Sequence, residues 1–189
     1  LALLTFGCAW VVWRSNGDRR LAEALGRPAV PLSVARRARW VLLAFAPSSL
    51  MLSVTTYLST NIAPIPLLWT LPLALYLLTF VLTFSGEVFP HAGMVRALPI
   101  VLLLLTVVLA AQATAPLELL MPLHLLVFFV AAMVCHGELA RDRPPPEQLT
   151  EFYLWLSVGG VLGGLFNAIV APLLFTTVVE YPLVLVLVC

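Results

Sequence analysis

Apolar residues run along this chain in blocks of about twenty, each long enough to cross the roughly 30 Å hydrocarbon layer of a membrane as a helix. No series of short alternating segments of the kind that builds a transmembrane barrel interrupts them. The blocks predict five complete spans, over residues 40–59, 65–84, 97–115, 119–134 and 151–175, with a partial span at each end in LALLTFGCAWVVW and YPLVLVLVC. Because both ends break off inside apolar runs, the chain reads as an internal fragment of a larger protein. Pro47 and Pro72 fall inside the first two spans and predict bends there, since proline removes a helical hydrogen bond.

The polar interruptions sort by charge. Residues 14–39 hold Arg14, Arg19, Arg20, Arg27, Arg36, Arg37 and Arg39 against Asp18 and Glu23; Arg96 follows in SGEVFPHAGMVR, and Arg141 and Arg143 in the proline-rich segment 136–150. If the five spans alternate in direction, these segments share one side of the membrane, and the opposite turns carry only Glu118 and Glu180 as charges. All ten basic residues are arginine, and the bias of basic loops toward the cytoplasm makes that side cytoplasmic. Trp40 is expected at the interface, where amphipathic rings settle.

Composition excludes the soluble alternative. A chain of 189 residues that is 62% hydrophobic and 10% charged, with mean hydropathy +1.06, has more apolar surface than a core of that size can cover. The fold class is therefore all-α, a polytopic transmembrane helix bundle forming one integral-membrane domain over residues 1–189. Net charge is only +1 and no aromatic residues interleave the arginines, so the partner implied is the lipid bilayer and not nucleic acid. Cys8, Cys135 and Cys189 lack metal-type spacing and read as small core residues.

Chemistry concentrates between Cys135 and Phe175. Over the inner segment His136, Glu138, Arg141, Asp142, Arg143, Glu147 and Glu151 fall close together, split by the stiff run Pro144 to Pro146. They either neutralise one another as an interfacial network or present Glu138, Asp142 or Glu151 to a cation. Thr150 and Gln148 are placed to cap the last helix. In that helix Gly159, Gly160, Gly163 and Gly164 make two overlapping small-residue pairs at four-residue spacing, and Asn167 shares their face. The face is a tight helix contact, a surface for homo-oligomerisation, or one along which helices slide during transport. His124 lies within an apolar span, where an ionisable residue is either a functional group or a histidine bonded to a neighbouring helix. The hydroxyl-rich stretch from Ser53 to Asn61 either packs or lines a polar path. No catalytic constellation emerges: His136 and Glu138 are two apart and diverge on a helix, and neither a nucleophile elbow nor a dinucleotide fingerprint is present. No cofactor is implied for this segment.

The strings RWVLLAFAPSSLMLSVTTYLSTNIAPIPLLWTLPLALYLLTF and MVCHGELARDRPPPEQLTEFYLWLSVGGVLGGLFNAIVAPLLF, about half of the chain, resemble the membrane portion of bacterial spermidine synthase-like proteins. That family fuses a major-facilitator-like helical region to an aminopropyltransferase-like domain. CHGELA, LTEFYLW and GGxxGGxFNA carry the resemblance. It implies a multi-pass protein of the bacterial inner membrane, a cytoplasmic domain of the same polypeptide as partner, and a connection to polyamines. His136, Glu138, Glu151, Tyr153, Gly159, Gly160, Gly163, Gly164 and Asn167 are the positions it marks, with Asp142 and His124 added from the residues themselves as candidates for binding a substrate. Asn61 stands where the family pattern often has an acidic residue.

Overall fold

The computed structural model describes residues 32–62, 67–85, 90–110, 117–174 and 185, and every regular element among them is helical. Helix α1 spans Val34–Tyr57 and runs into a π-helical turn at Leu58–Ile62; α2 spans Thr70–Phe84, α3 His91–Ala110 and α4 Leu117–Arg141. A single 3-10 turn, Pro146–Gln148, leads into α5, Leu149–Leu165, which continues through a second π-helical turn at Phe166–Val170 into the short α6, Ala171–Leu174.

Four of these helical stretches have the length and apolarity to cross a membrane, which marks a membrane protein by length and composition: Val34–Thr60, His91–Val108, Leu119–Arg141 and Pro146–Leu173. The sequence predicts five. The remaining one, α2, has 15 described helical residues, about 22 Å of rise against the roughly 30 Å of a hydrocarbon core. Pro72 is the third residue of α2 and not an interior one. In the first turn an amide has no helical acceptor to lose, so the expected bend has no cause there. Pro47 does lie inside α1, and Pro99 and Pro122 lie inside α3 and α4.

Helix ends depart from the apolar blocks. The Ser33 hydroxyl accepts from Arg36 N at 3.2 Å and starts α1 at Val34, so Arg36, Arg37 and Arg39 are helical and not loop. α4 continues through His136, Gly137 and Glu138 to Arg141, which shortens the expected loop 136–150 to the few residues before the 3-10 turn. The start of α5 has no side-chain cap: Gln148 holds that position through its backbone amide, bonded to Pro145 O at 3.0 Å, while Glu151 in the first turn complements the helix dipole.

The bundle is built on α1 and α4, whose candidate spans are 50% and 56% buried against 11% and 17% for those of α3 and α5. Leu50 and Val54 of α1 and Leu58 of the π-helical turn after it share the main core with Val127, Phe128 and Ala131 of α4. A second cluster sits at one end, where Trp40, Ala44, Leu139, Phe152 and Leu156 meet and Trp40 stands edge-on to Phe152 with ring centroids 5.0 Å apart. Trp40 is fully buried among the helices at this end. α5 lies on α1 along one stripe, Phe152, Leu156, Gly159 and Gly163, and turns Leu154, Val161 and Leu165 outward. Ion pairs and the second cluster bring the starts of α1, α3 and α5 together with the ends of α2 and α4. The helices therefore alternate in direction, and all six described arginines lie toward this end.

Candidate functional site

The arginine end is a network of ion pairs centred on α1. Arg36 reaches Asp142, with Nη2 2.9 Å and Nε 3.1 Å from Oδ1 and a further bond to the Asp142 carbonyl at 3.1 Å. The other oxygen of Asp142 accepts from the Trp40 indole at 2.7 Å, and the Arg36 guanidinium lies over the Trp40 ring, 5.2 Å from its centroid. Arg37 pairs with Glu151 at 2.7 Å, and Glu151 also accepts from Trp155 Nε1 at 3.2 Å. Arg39 pairs with Glu138 at 2.6 Å. Three arginines on the first turns of one helix thus engage all three carboxylates proposed as cation ligands. The geometry is that of the neutralising network.

CHGELA explains itself residue by residue. Cys135 is buried in the main core. His136, also buried, points into α2: its Nδ1 is 3.0 Å from Thr79 Oγ1, and the rings of Tyr76 and Phe80 stand edge-on to it at 5.1 and 5.4 Å. It faces the interior of the bundle, because α4 is still helical there and this side of it faces α2. The Thr79 hydroxyl also lies 2.8 Å from Tyr76 O, so it bridges that carbonyl and His136 Nδ1. Gly137 carries the ring of His91: a Cβ there would collide with Nδ1 and stand 3.0 Å from Cε1. That ring in turn donates from Nε2 to Glu138 Oε1 at 2.7 Å. Leu139 closes the second cluster. His136 and Glu138 diverge, as two-residue spacing requires.

Thr79→Val is expected to lower stability by about 1–2 kcal/mol, since the buried Nδ1 of His136 then lacks its hydrogen-bond partner. The check is a thermal unfolding cycle in mild detergent with His136→Phe. The Thr79→Val penalty should largely vanish in the His136→Phe background.

Along α5 only half of the glycine set meets α1. A Cβ on Gly159 would collide with Val41 O and stand 2.8 Å from Ala44 Cβ; one on Gly163 would lie 2.6 Å from Phe45 O and 3.0 Å from Ser49 N. Gly160 faces Ser48 Oγ at an ordinary 3.5 Å, and Gly164 faces nothing within 4 Å. One turn on, Asn167 opens the π-helical stretch to α1: Nδ2 donates to Ser49 Oγ at 2.6 Å, Ser49 O at 3.1 Å and Gly163 O at 3.2 Å, and Oδ1 accepts from Ser53 at 2.6 Å. The seam is an intramolecular one, sealed by a polar clasp.

The remaining candidates stay apart from the rim. His124 is fully buried with its ring 4.5 Å from that of Tyr57, joining α1 to α4. Tyr153 faces outward and touches Phe152. Of the hydroxyls after Ser53, Thr55 and Ser59 bond back to carbonyls of their own helix, the packing arrangement. The Asn61 side chain and Glu87 lie outside the described residues. Among the described residues no group of three or more His, Cys, Asp and Glu side chains is placed to hold a metal ion. The residue missed by sequence reading is His91, 47 positions from Glu138 and adjacent to it in space. A glycine preceding a membrane-boundary glutamate was its one trace. The geometry can bind helices together and hold charge at one end; no family model, curated protein or solved structure matches the chain.

Proposed function

We propose that the chain is the membrane module of a spermidine synthase-like protein of the bacterial inner membrane, and that it serves to hold a cytoplasmic aminopropyltransferase-like domain of the same polypeptide at the membrane surface. The resemblance in CHGELA, LTEFYLW and GGxxGGxFNA motivates the family. The observation that carries the anchoring role is the rim: Glu138, Asp142 and Glu151 are each held by an arginine of α1, which ties α1, α4 and α5 into one platform. In this reading α2 is the fifth crossing. It leaves the main core near Leu68 and ends with Phe84 beside the second cluster, returning the chain to the end where α3 starts.

Polyamine transport is the second reading, favoured by polar groups inside the bundle such as Ser49, Ser53, Asn167 and His136. It requires a rim carboxylate to exchange its arginine for a cationic substrate. Homo-oligomerisation would use a face other than Gly159 and Gly163, which α1 already covers.

Proteoliposomes of the full-length protein decide between anchor and carrier. Labelled spermidine and putrescine should enter no faster than into protein-free liposomes. Saturable uptake that Glu151→Gln or Glu138→Gln abolishes would establish transport and end the anchor reading.

A further inference from the structure

Charge at the rim does not balance evenly. Arg36 with Asp142 and Arg37 with Glu151 are one-to-one pairs. Glu138 instead faces two guanidiniums and an imidazole: Arg39 at 2.6 Å on one oxygen, His91 at 2.7 Å and Arg141 at 3.5 Å on the other. One carboxylate set against two permanently charged arginines leaves a full positive charge over, even with His91 neutral. The surplus is accessible, because the side chains of Arg141 and Arg39 are 67% and 52% exposed while Glu138 and His91 beneath them are 29% and 14% exposed. At 3.5 Å Arg141 is held by Coulomb attraction without a hydrogen bond to Glu138, so its N–H donors stay available to another acceptor. Beyond it, Arg143 and Glu147 are both exposed.

Position supplies the ligand's chemistry. Arg39 stands in the second turn of α1 and Arg141 at the last residue of α4, the charged ends of two membrane-length helices. A guanidinium pair at that depth meets the phosphates of lipid headgroups, and a surplus positive charge selects net-anionic lipids over zwitterionic ones. We propose that Arg141 and Arg39, clustered over Glu138 and His91, form a site for the phosphate of an anionic lipid headgroup. The proposal rests on the membrane reading above and is independent of the polyamine connection.

The test uses the full chain purified in an uncharged detergent, with phosphatidylglycerol, phosphatidylcholine or inorganic phosphate added, and reads lipid retention by native mass spectrometry beside the unfolding midpoint. Phosphatidylglycerol should be retained and raise the midpoint, and phosphatidylcholine should do neither. Arg141→Gln should weaken phosphatidylglycerol retention about five-fold, the share of one basic residue at a membrane surface. This variant leaves Glu138 to Arg39 and His91, so the fold is kept. Arg141→Lys should keep most of the retention, and Arg37→Gln, taken from a balanced pair, should not alter it. Binding of inorganic phosphate that Arg141→Gln abolishes would support the same site with a soluble phosphate as its source. Equal retention of both lipids, or Arg141→Gln indistinguishable from the parent, would overturn the proposal. Release of the protein from membranes by alkaline carbonate would instead bring down the membrane reading itself.

Discussion

Gly163→Leu is expected to part α5 from α1 and to be among the most costly substitutions for stability in the last span. At this position the obstacles are backbone atoms, Phe45 O and Ser49 N, which cannot swing aside as a side-chain tip would. Forcing atoms into a packed contact costs about 1–3 kcal/mol when the surroundings can shift slightly, and more when they cannot. Leucine also pushes away the strand of α1 backbone that Asn167 clasps. The interhelical bonds to Ser49 and Ser53 are lost together, each contributing about 0.6 and at most about 1.7 kcal/mol in a membrane. Gly159→Leu should behave alike, since Val41 O blocks its Cβ. Gly164→Ala should be neutral or up to about 1 kcal/mol stabilising, because nothing lies near and alanine is the better helix former. Unfolding midpoints in mild detergent, followed by the fluorescence of Trp40 and Trp155, rank the three. Equal losses at Gly163 and Gly164 would show that the seam is not where the contacts place it.

That contrast shows how far the sequence could be read. Four glycines in two overlapping pairs announced a close helix contact, and the spacing correctly put Asn167 on the face of Gly163. It could not say that Gly159 and Gly163 meet α1 while Gly160 only brushes Ser48, because 100° per residue places all four within one broad arc and the partner's position decides the rest. Helix existence was legible from apolar runs, and the ends were not. An apolar block stops at its first charge, whereas the α-helix continues for as long as its polar side chains find partners. Arg36, Arg37 and Arg39 find theirs in Asp142, Glu151 and Glu138, more than a hundred residues away for the first two and 99 for the third. The same long-range pairing turned three apparent cation ligands into occupied ones. Pro72 misled for a related reason, since only the true start of α2 tells a first-turn proline from an interior one.

Glu138→Ala is the second substitution with a large expected effect, and it tests whether the rim holds the bundle together. Glu138 joins three helices: Arg39 comes from α1, His91 from the first residue of α3, and the glutamate itself from the last two turns of α4. α3 makes its described contacts chiefly with α4 and, among its described side chains, buries only Leu98 and Leu105 deeply, so its attachment near the rim depends on this bond more than that of α1 does. Hydrogen bonds to a charged partner contribute about 1.5–3 kcal/mol each when well shielded. With the Glu138 side chain 29% exposed, a loss of about 2 kcal/mol for the whole hub is the expected scale. Glu138→Gln should recover only part of it, since an amide oxygen can accept from one partner but carries no charge for two arginines. Gly137→Ala supplies an independent route to half of the same defect. Its methyl group displaces the His91 ring from Glu138 and leaves the Arg39 pair in place, so its cost should be smaller than that of Glu138→Ala and should not add to it in the double variant. Hydrogen exchange of the first turns of α3 reads the outcome directly. Faster exchange there in both variants, with α5 unchanged, is the expected pattern, because α5 is tied to α1 through Arg37 and the glycine seam and owes nothing to Glu138.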